Sequence, residues 1–182
     1  ADLRDWAGSQ EQVDVVVSNA TLQWLPDHLE LLPALAYRVR PGGWLAFQVP
    51  GNFAAPSHVI IRSQAASEPW HDRLHGLLRD EHAVHDPQEY AEPLTGVGCE
   101  VEAWETTYLH RLTGPDPILS WVTGTALRPV RTALDDTEWA AFTAELAPRL
   151  RAAYPMRPDG TTWFPFRRIF AVAHAVPRSA TM

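Results

Sequence analysis

Two short apolar runs stand out in the first third of the chain. Residues 13–17 and residues 44–49 are almost wholly hydrophobic and contain little alternation of polar and apolar positions. A short, continuous run of this kind is typical of a β-strand covered on both faces, as in a parallel sheet flanked by helices. Each run therefore predicts a buried strand.

The segment between these runs has the pattern of a helix. Its apolar side chains recur at helical spacing at Leu31, Leu32, Leu35, Ala36 and Val39. Asp27 is a suitable N-cap, and the turn at residues 41–43, Pro-Gly-Gly, is a suitable stop. The spacing predicts a helix from Asp27 to about residue 39, and thus a strand–helix–strand unit.

The rest of the chain continues to alternate between helices and strands. The patterns predict a helix at 58–66 capped by Ser57, a helix beginning at Asp86, a long strand at 99–110, helices from 115 and at 136–153, and a last strand at 166–175. This alternation indicates an α/β domain.

Polar residues follow both of the first two strands. Ser18, Asn19, Gln23 and Trp24 come after the first, and Gln48, Pro50 and Asn52 close the second. Ligands of open α/β sheets bind beyond the carboxyl ends of the strands. The sequence therefore predicts a ligand site at this edge.

Composition narrows the classes of partner. A length of 182 residues with 46% hydrophobic content suits one globular domain, and a net charge of −7 argues against nucleic acid or an acidic membrane as partner. All fifteen cationic side chains are Arg, so an anionic ligand would be held by guanidinium groups, which match carboxylates bidentately. The single Cys99 and the lack of a long apolar run favour a cytoplasmic protein.

The strand–helix–strand segment resembles a known family. Residues 18–20, 23–24 and 40–43 are similar to the middle of a class I S-adenosylmethionine-dependent methyltransferase. The resemblance implies a Rossmann-like three-layer α/β sandwich, mostly parallel with an antiparallel last strand. It also implies S-adenosyl-L-methionine as the cofactor.

The family's glycine-rich loop is not found in these 182 residues, which contain no Gly-x-Gly-x-Gly turn. In the family, that loop and the first strands precede the segment that corresponds to Ala1 in this chain. We therefore expect this chain to be the carboxyl-terminal part of one methyltransferase domain. The resemblance places Asp2 and Leu3 in the segment that contacts the adenine, with Asp2 facing its exocyclic amine. It places Asn19 beside the cofactor.

Further runs resemble one branch of the family, which esterifies one carboxylate of a small tricarboxylic acid. They are residues 18–28, 56–59, 98–101, 104–108 and 121–129. The last run is the most specific because it lies in a helical insertion, residues 111–163, where such enzymes place a substrate lid. The substrate-side residues that follow are Gln23, Trp24, Tyr108, His110, Trp121, Arg128, Arg167 and Arg168.

These residues also have ordinary structural interpretations. The tryptophans are candidates for the core, and Arg128 for the surface. Arg167 and Arg168 are consecutive in a strand, so their side chains point to opposite faces and at most one is expected in the site. No catalytic acid or base is predicted, because a carboxylate is already ionised at neutral pH.

Two other functions remain open from the sequence. The first is another carboxyl methyltransferase, such as the enzyme that acts on malonyl-acyl-carrier protein, although no basic docking patch is evident. The second is a non-catalytic binding domain of the same fold. A metal site is not predicted at His71, His75, His82 and His85, because the surrounding sequence has neither a His-Glu-x-x-His motif nor a Cys pair.

Overall fold

The computed structural model describes residues 2–176. Its strands are β1 (Val13–Asn19), β2 (Val39–Pro50), β3 (Cys99–Thr113) and β4 (Thr161–Ala175). Its helices are α1 (Leu3–Ala7), α2 (His28–Tyr37), α3 (Pro56–Ala65), α4 (His71–Leu74), α5 (Pro87–Gly96), α6 (Pro117–Thr123), α7 (Arg128–Ala133) and α8 (Asp136–Ala153), with a 3₁₀ turn at Leu22–Trp24. Within this part of the chain, every helix is too short or too polar to cross a membrane.

The strands form one mixed sheet in the order β1-β2-β4-β3. β1 runs parallel to β2, and β4 runs antiparallel to β2. The predicted α/β class, with an antiparallel last strand, is confirmed. The register sets Asn19 beside Gln48 and Pro50 beside Arg168, so the carboxyl ends of β1 and β2 lie beside the middle of β4.

The chain divides into two compact units, a sheet unit and a helical unit. Among the described residues, the sheet unit contains 2–51, Ala83–Thr106 and 167–176. The helical unit contains Asn52–His82 and Thr107–Phe166. The predicted insertion at 111–163 thus lies in a unit that also takes in Asn52–His82.

Helices cover one face of the sheet in the sheet unit. Leu45, Phe47 and Val49 of β2 are buried there with Ile169 and the alanines of β4 that follow it. Tyr90 of α5 is wholly buried against them. Its ring meets that of Phe47 edge to face, with 5.3 Å between the two ring centroids. Its hydroxyl lies 2.8 Å from the buried Nε2 of His28, which ties α5 to α2.

The opposite face of this sheet is open in the described chain. Val15 is 54% exposed and Val17 is 73% exposed, and Trp44 and Trp104 are also exposed on the sheet unit. The prediction that residues 13–17 are covered on both faces is therefore wrong for residues 2–176. An apolar run indicates that a strand favours burial, but it does not indicate which elements cover each face.

The turn between α2 and β2 also differs from the prediction. α2 ends at Tyr37, two residues early, and β2 begins at Val39 and carries the Pro-Gly-Gly turn within it. The partner of Val13 is Val39, whereas the partner of Val15 is Trp44, so the turn bulges out of the ladder. Gly42 makes this possible with a φ of +83°, a left-handed value that favours glycine.

The helical unit has its own apolar core. Phe142, Leu146 and Leu150 on one side of α8 are buried in a cluster with Ile61 of α3 and Phe164 of β4. α8 begins at Asp136 as predicted, because Asp135 and Glu138 form a capping box.

α3 begins earlier than the sequence suggested. Its N-cap is Ala55 and its first residue is Pro56, a residue favoured at that position. The prediction that Ser57 caps this helix is wrong, because Ser57 is buried within the first turn. Its backbone N–H donates to the hydroxyl of Tyr154 over 3.1 Å.

Candidate active site

A row of polar side chains crosses the edge where β1 and β2 end. Gln48 Nε2 donates to Asn19 Oδ1 over 2.7 Å. Arg168 Nη1 donates to Gln48 Oε1 over 3.0 Å. We call Asn19, Gln48 and Arg168 the polar row; it spans three neighbouring strands at the predicted ligand edge.

The loop after β1 is shaped by an unusual backbone conformation. Ala20 has a φ of +52°, in the left-handed region, and its N–H donates to the carbonyl of Gln48 over 3.0 Å. Gln23 is buried, and its Nε2 donates to the carbonyl of Ala20 over 2.7 Å. Trp24 is exposed on the same turn. Gln23 thus braces the loop, while Trp24 is displayed at its surface.

The two consecutive arginines have different surroundings. Arg167 donates through Nε to Glu105 Oε2 over 2.8 Å and through Nη2 to Asp86 Oδ1 over 2.7 Å. Asp86 is the N-cap of α5, so Arg167 connects β4 with β3 and with the start of that helix. Arg168 is the one that joins the polar row, so the surroundings favour Arg168 as the strand arginine at the site.

The first residues of the chain supply the candidate adenine contacts. Asp2 is the N-cap of α1, and its Oδ1 accepts from the backbone N–H of Arg4 over 2.9 Å. The side chain of Arg4 pairs with Asp27, which holds α1 against the start of α2. Asp2 retains a second carboxylate oxygen as an acceptor suited to an amine, and Leu3 follows it as the first helical residue. The contact of Asp2 with an adenine amine stays a prediction from the resemblance.

Three predicted residues lie together in the helical unit. The ring of His110 lies 4.9 Å from that of Trp121 and 6.3 Å from that of Tyr108, and Phe166 lies 5.9 Å from His110. The His110 Nε2 atom is buried and has no hydrogen-bond partner within residues 2–176. A buried, unpaired ring nitrogen costs free energy unless a ligand or a water molecule satisfies it. This aromatic cluster thus contains a buried ring nitrogen that remains available to a ligand or to a water molecule.

Arg128 is exposed at the start of α7. Its guanidinium has no ion-pair or hydrogen-bond partner among the described residues, whereas Arg131 in the same helix pairs with Asp136, and Arg151 of α8 pairs with Asp116. Of these three, only Arg128 presents a guanidinium that is not already neutralised. It is therefore suited to an external carboxylate.

His58 is a polar residue of the helical unit to which the sequence assigned no role. Its Nδ1 lies 3.3 Å from Ser57 Oγ, and Arg62 lies one turn further along α3. Burial, followed by the positive charge of Arg62, lowers the pKa of His58 to about 4. Its position in the family-like run 56–59 was the only signal in the sequence.

The lowered pKa of His58 predicts an acid-dependent loss of stability. The unfolded chain takes up this proton near pH 6.5 and the folded chain only near pH 4, so the free energy of unfolding falls as the pH drops through this interval. The full effect is on the order of 3 kcal/mol. Urea unfolding of wild type and His58→Gln between pH 7 and pH 4 measures it. The variant should lose the part of the slope between pH 6.5 and 4.5; an unchanged slope contradicts a half-buried His58 that stays neutral in the folded chain.

Comparison with known families identifies the class of protein. A family model described as a methyltransferase domain matches residues 1–103, which is more than half of the chain. The chain therefore belongs to the methyltransferase family, whose cofactor is S-adenosyl-L-methionine.

Curated relatives identify the nearer group. The trans-aconitate 2-methyltransferase of Mycobacterium sp. (strain KMS) is 56% identical over 173 residues, which cover 94% of this chain and 68% of the relative. The enzyme of the same name from Streptomyces avermitilis is 55% identical over 96% of this chain and 64% of its own length. That of Mycobacterium tuberculosis (strain ATCC 25177 / H37Ra) is 50% identical over 94% and 66%. The chain spans about two thirds of the length of these relatives.

Proposed function

We propose that the protein transfers a methyl group from S-adenosylmethionine to one carboxylate of trans-aconitate. The products would be a monomethyl ester and S-adenosylhomocysteine. The class of enzyme follows from the family, and the acid is the step that this proposal adds.

The proposal of trans-aconitate as the acid rests on how much of the chain its relatives match. The family model ends at residue 103, within β3. The relatives named for trans-aconitate match 94% of the chain, and therefore match most of the helical segment beyond β3 as well. Shared cofactor binding explains likeness in the first part alone. Likeness in the segment that carries His110, Trp121 and Arg128 supports a shared substrate.

The chemistry needs alignment rather than acid–base catalysis. A carboxylate with an ordinary pKa of about 4 is ionised at neutral pH, so it is already a nucleophile. When bound, S-adenosylmethionine supplies an activated methyl group on a sulfonium sulfur. The protein has to hold the carboxylate oxygen in line with that methyl group, and positioning of this kind contributes up to roughly 7–11 kcal/mol in well-oriented systems.

The candidate residues divide this task between them. Arg128 would bind a carboxylate that does not react; its guanidinium, which is exposed and unpaired among residues 2–176, supports this role. His110 Nε2 offers a hydrogen-bonding position within apolar walls formed by Tyr108 and Trp121. On the cofactor side, Asp2 and Leu3 would hold the adenine, with Asn19 at the strand edge.

A panel of acids tests the proposal. The complete product of the gene, with any residues that precede Ala1, should methylate trans-aconitate with a higher kcat/KM than cis-aconitate, citrate or isocitrate. Malonyl-acyl-carrier protein is the contrasting substrate. Turnover on that carrier protein with none on trans-aconitate would show that the assignment of the acid is wrong while the class of enzyme stands. Absence of methyl transfer to any carboxylate would favour a binding domain.

A further inference from the structure

Gln48 lies in the middle of the polar row, between Asn19 and Arg168. We propose that Gln48 is a positioning residue that fixes the side-chain amide of Asn19 as a hydrogen-bond donor toward a carboxylate in the site. This inference rests on the proposed function for the identity of the ligand. It concerns Gln48, which would touch neither substrate nor cofactor.

The direction of the row follows from donor and acceptor chemistry alone. A guanidinium can only donate, so the side-chain oxygen of Gln48 must face Arg168. The Nε2 group of Gln48 therefore faces Asn19, and the group that receives it must be the oxygen of Asn19. No other orientation of the two amides satisfies both contacts.

The consequence appears at Asn19. Its oxygen is engaged by Gln48, and its Nδ2 group has no partner among the described residues. Asn19 is exposed at the carboxyl end of β1, the edge at which ligands of α/β sheets bind. What remains available on this side chain is a pair of N–H donors. A ligand group at this position must be an acceptor.

A carboxylate fits this position better than an amine or an ammonium group. It has two oxygens with lone pairs and no hydrogen to clash with the Nδ2 donors. The positive charge of Arg168 polarises Gln48, which in turn polarises Asn19 in the same sense. The amide is neutral, so it orients an anion without the charge neutralisation that a salt bridge imposes. Two ligands carry such a group: the acid that accepts the methyl, and the amino-acid part of S-adenosylhomocysteine.

One isosteric substitution reverses the row. In Gln48→Glu, the new carboxylate still accepts from Arg168, but it can no longer donate to Asn19. The Asn19 amide then turns its Nδ2 group toward Glu and presents its oxygen to the ligand. In Gln48→Met, a side chain of similar length makes neither hydrogen bond and leaves Asn19 free to rotate. The first variant reverses the polarity of Asn19, and the second only releases it.

The two variants should differ in how much they weaken ligand binding, with Gln48→Glu the more severe. If Gln48 had only a structural role, Gln48→Met would be the more severe, because it loses both hydrogen bonds. Gln48→Glu should weaken binding of the carboxylate ligand roughly 30-fold or more, because an acceptor then faces an acceptor. Gln48→Met should weaken it less than tenfold, since Asn19 can still rotate to donate. If the acid is the ligand, the KM for trans-aconitate rises and the affinity for S-adenosylhomocysteine measured by calorimetry is unchanged. If the cofactor is the ligand, that affinity falls. The proposal is overturned if Gln48→Glu is milder than Gln48→Met, or if it alters neither affinity.

Nuclear magnetic resonance supplies a readout that does not depend on activity. The side-chain amide signals of Asn19 should shift in Gln48→Glu as Nδ2 begins to donate to a carboxylate, and the Glu should titrate below its usual pKa of about 4.3 beside Arg168. Unchanged Asn19 signals would overturn the proposal. If wild type does not methylate trans-aconitate, the proposed substrate fails; the amide signals and the affinity for S-adenosylhomocysteine still decide the role of Gln48.

Discussion

Replacing Arg128 with Leu should raise the KM for trans-aconitate about 30-fold or more, with cofactor affinity unchanged. The Arg128 guanidinium has no partner among residues 2–176, so its loss should leave the fold intact and remove only the proposed contact with the substrate. Removing one partner of a charge pair that is desolvated on binding costs about 2–5 kcal/mol. Since the lost contact is to a carboxylate that does not react, most of the loss falls on KM and little on kcat. Steady-state kinetics with both substrates varied measures this split.

Arg131→Leu is the matched control. It removes the same charge from the same helix, but Arg131 is paired with Asp136, so its loss should change KM little. Arg167→Leu and Arg168→Leu compare the strand arginines, and at most one should resemble Arg128→Leu. The role of Arg128 is refuted if its variant keeps near-normal kinetics while a strand variant loses activity. The substrate clamp would then belong to β4.

Replacing Gly43 with Ala should destabilise the fold more than adding a methyl group at any other glycine of the sheet unit. A Cβ at this position would lie 2.3 Å from the backbone oxygen of Asp14 and 2.7 Å from a methyl carbon of Val39. The oxygen belongs to the neighbouring strand β1, so relief requires movement of the ladder rather than of a flexible side chain. We expect a loss of about 3 kcal/mol or more in the free energy of unfolding. This corresponds to a drop of roughly 10 °C in Tm for a chain of this size.

Gly96→Ala is the control for the methyl group itself. Gly96 is the last residue of α5, and an added Cβ would meet nothing within 4 Å. The change should be neutral or slightly stabilising, since alanine has less conformational freedom to lose on folding. Thermal unfolding of the two variants side by side gives the difference. Equal Tm values would mean that β1 and β2 are not held as closely as described.

The elements with strong local signals could be predicted from the sequence. α8 has the bounds 136–153 that its pattern predicts, and β3 and β4 include the strands expected at 99–110 and 166–175. What the sequence could not predict depends on distant partners. Val17 belongs to an apolar run, yet it is exposed because no described helix packs over that face of β1.

The candidate site shows the same division. The neighbouring positions of Asn19 and Gln48 follow from two parallel strands that end together, which the sequence pattern already indicated. The different surroundings of Arg167 and Arg168 did not follow, because Arg167 finds its carboxylates on Glu105 and Asp86. Strand alternation predicts that two consecutive side chains diverge, but it does not say which of them meets a partner.

The most direct test of the central claim is transfer of a labelled methyl group. The complete gene product is incubated with S-adenosylmethionine that carries a ¹³C-methyl group and with trans-aconitate, and the products are analysed by NMR and mass spectrometry. The account predicts one ¹³C-methoxy ester signal on a singly methylated acid, formed in step with S-adenosylhomocysteine. Recovery of unmodified trans-aconitate would contradict it, whether a parallel incubation with malonyl-acyl-carrier protein takes up the label or not.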